Sequence, residues 1–331
     1  MSQCVTEIPS ATSYSPYGLS FSREELIDEI HLLRAERKAV ILAHNYQVPE
    51  VQDIADFTGD SLGLSMEATK TDAEIIVFCG VHFMAESAKI LNPDKRVLLP
   101  HLGAGCALAD SITPESLDDW KSRYPGYTVV TYINSSAEVK AESDICCTSA
   151  NAVAVVRSLK TDRVLFTPDR NLGRWVKSQV PDKDIVIYDG VCPTHDVLRG
   201  ANLLKTRQAF PDAVIIAHPE CREDIVDIAD EVCSTTGMMA AVARHPEAKT
   251  FIVATENGIV HQMKKRYPDR EFILADGCIG CRLHCPYMKV TGLEDVYLSL
   301  KEERYEIRVD LDIIQGARRA LDRMMAVPRD N

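Results

Sequence analysis

No apolar run in this 331-residue chain approaches the length of about 18 residues that a membrane helix needs, so no membrane span is expected. No long basic stretch is present and the net charge is −12, which argues against nucleic acid and against an anionic membrane surface as partners. The opening residues lack the charged-then-apolar order of a signal peptide, so the chain is expected to be soluble and cytoplasmic. Two metal patterns are missing as well. No second CxxC and no finger-spaced histidine pair stands near the cysteine-rich stretch, so a self-contained zinc site is incomplete there. The CxxxCxxC of radical enzymes is absent too; the stretch reads CxxCxxxC.

What the chain does have is cysteine, eleven in all. In a reducing compartment that number favours metal or redox chemistry over a disulfide framework. Cys278, Cys281 and Cys285 are crowded between Asp276 and Met288. Thiolates at this density select zinc, copper(I) or iron–sulfur clusters. Further ligands must come from elsewhere, and Cys106 and Cys192, each in a loop-like context, are the candidates. Cys79, Cys146, Cys147 and Cys233 sit among apolar residues and read as small buried hydrophobes. Cys4 falls in an N-terminal arm, residues 1–20, rich in Ser, Pro and Tyr and expected to be flexible.

Ser22 and Glu25 form a capping box that opens an amphipathic helix to about residue 38. Residues 39–43 are wholly apolar and β-branched, as in a parallel strand buried on both faces. From there the chain repeats itself. Strands at 129–134 and 213–217 match the first, and each ends in polar residues: His44 and Tyr46, Tyr132 and Asn134, His218 and Glu220. A hydroxyl then heads a helix in each copy: Ser61, Ser149, and Ser234 with Thr235. A second apolar strand follows at 74–78, 163–166 and 250–253, and a third at 96–99, 184–188 and 271–274 leads to cysteine. Cys106, Cys192 and Cys278 are spaced by 86 residues in both intervals.

A period this long suits a small α/β domain in triplicate. The expected fold is three similar αβα domains, with short parallel sheets, around a pseudo-threefold axis. The boundaries are 21–110, 111–196 and 197–290, with C-terminal helices at 291–327 packing back on the first domain. Ligands bind beyond the carboxyl ends of such strands, so the three sets of strand-end residues would share one pocket. Three cysteines would leave one iron of a [4Fe–4S] cluster without a protein ligand, a Lewis acid able to help expel water. The helix-start hydroxyls, beside free N–H groups, suit carboxylate and phosphate.

The motifs at 42–47 (LAHNYQ), 59–62 (GDSL), 92–95 (NPDK), 104–110 (AGCALAD), 132–135 (YINS), 192–195 (CPTH), 218–220 (HPE) and 285–288 (CPYM) together resemble the quinolinate synthase family. The resemblance runs from about residue 22 to 327. It implies a transferase-type condensation of iminoaspartate with dihydroxyacetone phosphate, then cyclisation and dehydration to quinolinate, in NAD biosynthesis. It also implies one oxygen-sensitive [4Fe–4S] cluster with Cys106, Cys192 and Cys285 as ligands. His44, Tyr46 and Glu220 resemble the catalytic groups, Glu220 and Tyr46 as proton shuttles. His44, Ser61, Tyr132, Asn134, Ser149, His218, Glu220, Ser234 and Thr235 resemble substrate contacts, and His195 is kept outside the first rank. The motif therefore selects Cys285 where the repeat spacing selects Cys278. Cys278 and Cys281 then form a spare CxxC, with a redox-active disulfide as one reading and two idle thiols as the other. Because iminoaspartate is unstable, a transient contact with an aspartate oxidase or dehydrogenase would serve it. The competing readings are an iron–sulfur hydro-lyase of another specificity and a zinc-binding regulatory protein built on the 278–285 loop.

Overall fold

The architecture, taken from a computed structural model, is described for residues 15–276 and 283–330. Three four-stranded sheets follow one another along the chain. The first holds β1 (Ala39–His44), β2 (Phe57–Gly59), β3 (Ile75–Cys79) and β4 (Arg96–Leu98). The second holds β5 (Thr128–Tyr132), β6 (Ile145–Cys147), β7 (Arg163–Thr167) and β8 (Asp184–Ile187). The third holds β9 (Val214–Ala217), β10 (Glu231–Val232), β11 (Thr250–Ala254) and β12 (Glu271–Leu274). Each sheet has the same order, β2-β1-β3-β4, β6-β5-β7-β8 and β10-β9-β11-β12, and every pairing is parallel. The chain is therefore α/β, with three similar αβα units, as the repeat predicts.

Strict alternation along the strands divides the core. Val40, Leu42, Ile76 and Phe78 enter one cluster shared by all three units. Their neighbours Ile41, Ala43, Ile75 and Val77 point to a separate outer cluster under the helices Arg23–Glu36 and Leu293–Glu302. The second and third sheets have outer clusters of their own, around Leu117 and Val129 and around Leu203 and Ile215. Burial on both faces is why these strands are continuously apolar. Each fully buried side chain of this size contributes about 1.5–3 kcal/mol. Cys79, Cys146 and Cys147 are buried among them.

Residues 15–20 lie against the first unit, where the Tyr17 hydroxyl donates to Asp295 and Leu19 packs on the outer cluster. Leu293–Glu302 packs on Arg23–Glu36 and β3. The helix Leu311–Met325 lies against Ala137–Ala141 and β6 of the second unit as well as His82–Leu91 of the first. Among the described residues no helix is long and apolar enough to cross a membrane.

Candidate active site

The inner strands β1, β5 and β9 end in His44, Tyr132 and Ala217, and the chain then turns sharply. The residues of each turn meet in one cavity. The first unit supplies His44, Tyr46 and Ser61; the second, Tyr132, Asn134 and Ser149; the third, His218, Glu220 and Thr235. Cys106, Cys192 and Cys285 line the same cavity. Of the expected contacts, Ser234 alone stands behind the wall, facing an adjoining cleft that also touches Ser149. Cys278 and Cys281 lie outside the described residues.

Glu220 is the centre of the polar network. Its Oε2 lies 3.1 Å from His195 Nδ1 and 3.1 Å from His218 Nδ1. With the His195 ring carrying its proton on Nδ1, its Nε2 accepts from the Thr255 hydroxyl at 2.9 Å; His218 Nε2 lies 3.2 Å from the Ser149 hydroxyl, and its Nδ1 also lies 3.4 Å from the Glu220 N–H. Thr255 Oγ1 is in turn 2.5 Å from the Tyr46 hydroxyl. A continuous buried chain therefore runs Tyr46, Thr255, His195, Glu220, His218, Ser149. The other Glu220 oxygen, Oε1, and Asn134 Oδ1 are buried acceptors without a hydrogen-bond partner. Such atoms are costly to bury and suit a ligand's donors.

Burial sets the electrostatics. It pushes the imidazoles of His44 and His195 down to about 4, so both are neutral at pH 7. Burial also opposes the charge on Glu220, but His195 and His218 outweigh it and hold that carboxyl below the usual carboxylate range. No Lys or Arg is among the described residues lining the cavity. Its other acids are paired from behind. Arg329 grips Asp60 at 2.6 and 2.9 Å, and Lys289 lies 3.0 Å from Glu256.

The three cysteines fit a metal cluster. Burial raises all three thiols, Cys106 to about 12, and the Cys106 charge is further disfavoured by Cys285, that of Cys192 by Glu220 and Cys106. Buried thiols that raise one another need a cation to become thiolates, and soft sulfur donors from three loops suit iron–sulfur or zinc. A smaller donor set overlaps them: ligand atoms of Cys192, His195 and Glu220 lie within 4.8 Å of one another.

A family model described as Quinolinate synthetase A protein matches residues 28–326. The chain belongs to that family. It is 54% identical over 308 residues to the quinolinate synthase of Geotalea uraniireducens, covering 93% of this chain and 99% of that one. It is 55% identical over 302 residues to the quinolinate synthase of Geobacter metallireducens, covering 91% and 97%. That of Thermodesulfovibrio yellowstonii is 48% identical over 301 residues, covering 91% and 98%. The family is one of enzymes, which leaves the regulatory zinc reading without support.

Several residues of this family member's cavity were not legible beforehand. His195 stands at its centre rather than at its margin, stacked on His218 at 4.9 Å. Thr255 and Glu256 had no motif to mark them, and Asp60 stood inside the 59–62 motif with no role assigned to it. The signal available was position, since Thr255 and Glu256 directly follow β11 as the strand-end pairs follow β1, β5 and β9. Ser149, expected at a helix start and as a substrate contact, does not occupy the N-cap of the helix Ala152–Ser158. Asn151 holds that position, its Oδ1 accepting from the Thr148 N–H at 2.9 Å, which leaves the Ser149 hydroxyl to His218. Ser234 does cap its helix, accepting from Gly237 N–H at 3.2 Å. Arg170 and Lys265 pair with Asp189 and Asp53, away from the cavity.

Proposed function

We propose that this chain condenses iminoaspartate with dihydroxyacetone phosphate to quinolinate, in NAD biosynthesis. Phosphate and two waters leave, and the balance closes without an oxidant. The observation that carries the reading is the meeting of three cysteines with three strand-end polar pairs in one buried cavity. Cys106, Cys192 and Cys285 would hold a [4Fe–4S] cluster. When bound, such a cluster supplies an iron open to a carboxylate or hydroxyl, a Lewis acid that assists loss of water.

The chain's own side chains divide the remaining work. Glu220 is ionised at rest, and its unpaired Oε1 accepts a proton from substrate. The hydrogen bonds beyond it point toward Glu220, from the Tyr46 hydroxyl to Thr255, from Thr255 to His195 Nε2 and from His195 Nδ1–H to Oε2, so they hold the carboxylate ionised and oriented to take that proton and to return it at a later step. Asn134 Oδ1 accepts from a substrate N–H or O–H, fixing its orientation. Ser61 and Thr235 stand in the first turns of two ten-residue helices, where hydroxyl and N–H donors meet carboxylate and phosphate. This donor set suits anions in a cavity whose described lining holds no lysine or arginine.

The test is quinolinate formation from the two reactants by protein purified without oxygen. Wild type turns over, and Glu220→Gln, which keeps shape but not charge, loses about 10²–10⁴-fold in rate. Undiminished turnover in Glu220→Gln would overturn the proton-transfer role. No quinolinate from the wild type would sink the assignment of substrates.

A further inference from the structure

We infer that Asp169 and Glu256 are positioning residues that fix the main chain of the second and third cysteine loops, a device absent from the first. The inference rests on the reading of Cys106, Cys192 and Cys285 as the cluster's ligands.

It comes from comparing the three units at one place. β3, β7 and β11 hold the same position in their sheets, beside the strand that leads to cysteine. Two residues past β7 stands Asp169, and two past β11 stands Glu256. Both are fully buried. Asp169 Oδ1 accepts from Leu172 N–H at 2.7 Å, and its Oδ2 accepts from Cys192 N–H at 3.2 Å. Glu256 Oε2 accepts from Gly258 N–H at 2.7 Å, and its Oε1 accepts from Cys285 N–H at 3.1 Å. The plan is the same in both. One oxygen fixes the carboxyl group to its own turn, and the other reaches across to the cysteine amide.

Two residues past β3 the first unit has Val81, which has no acceptor to offer. There the tie is made by main chain alone, His82 N–H to Ala104 C=O at 2.7 Å. Among the described residues no side-chain acceptor meets the Cys106 N–H. Two acids of different length, at equivalent positions, reaching the same atom of the same residue type point to a shared task. A buried carboxyl group is expensive. Two of them would not be needed merely to fill space between strand and loop. Fixing the cysteine amide fixes Cα, and with it the direction in which the thiol enters the cavity.

The test is residue-resolved amide hydrogen exchange on the enzyme purified without oxygen, together with the rate of iron release to a chelator. In wild type the Cys192 and Cys285 amides exchange at least tenfold more slowly than that of Cys106. Asp169→Asn cannot accept from both N–H groups, so Cys192 loses about tenfold in protection while Cys285 keeps its own. Glu256→Gln does the reverse. Either variant releases iron faster. Equal protection of all three amides in wild type overturns the inference and needs no variant to fold. So does a variant that loosens all three cysteines alike, or none. Iron and sulfide are measured on the same samples. The expected protection without either would uphold the anchors and sink the cluster reading instead.

Discussion

The cavity and the cleft beside it share a wall yet handle charge in opposite ways. Among the described residues every acid of the cavity is buried and paired: Glu220 beside two histidines, Glu256 with Lys289, Asp60 with Arg329. In the cleft the charges are wet. Arg244 pairs with Glu231 at 2.8 Å with both side chains partly exposed, and Arg157 is exposed. Exposed pairs of this kind contribute about 0–1 kcal/mol. The same residue types are therefore desolvated on one side of the wall and screened by water on the other. Arg329 is the exception, because it stands in the cleft and reaches through to Asp60.

The largest contrast comes from two isosteric changes. Glu220→Gln lowers turnover by about 10²–10⁴-fold, while Glu231→Gln, across the wall, leaves it within about twofold. Equal losses in the two would erase the distinction. Next is Arg329→Ala, which leaves the buried Asp60 unmatched. A fully buried pair broken on one side costs about 3–5 kcal/mol. Arg329 is 37% exposed, and water there reduces the expected loss to about 1–3 kcal/mol in urea denaturation. Adding Asp60→Asn restores part of it, because the unmatched charge is gone.

A smaller effect follows from pH. His44 titrates near its ordinary value when unfolded but is pushed to about 4 by burial when folded. Below about pH 6.5 the unfolded chain binds the extra proton, so stability falls as pH drops from there toward 4 and is untouched above. The slope is about 1.4 kcal/mol per pH unit. His44→Asn removes this share, and its urea midpoint falls less steeply between about pH 6.5 and pH 5. Parallel curves for variant and wild type would mean that His44 is hydrated. The smallest effect is Arg157→Ala in the cleft, within about 0.5 kcal/mol of wild type.

How much could be read from the residues follows the same division. Strands buried on both faces announce themselves, and β1, β5 and β9 with their polar ends were legible. The edge strands β2, β6 and β10 were not, because two or three residues show no period. The strand-end pairs of the cavity were legible because they recur. Asp60, Thr255 and Glu256 are each one polar residue whose partner lies in another unit or far along the chain, and only the fold brings the two together. His195 was discounted for the same reason, since its contacts with Glu220 and Thr255 are set by three different loops.

The measurement that tests the central claim most directly is iron, acid-labile sulfide and zinc in protein purified without oxygen, for wild type beside Cys285→Ala and Cys278→Ala. The account predicts about four irons and four sulfides per chain, lost in Cys285→Ala and kept in Cys278→Ala. Loss in Cys278→Ala alone would contradict the third ligand, and zinc without sulfide in the wild type would contradict the cluster itself.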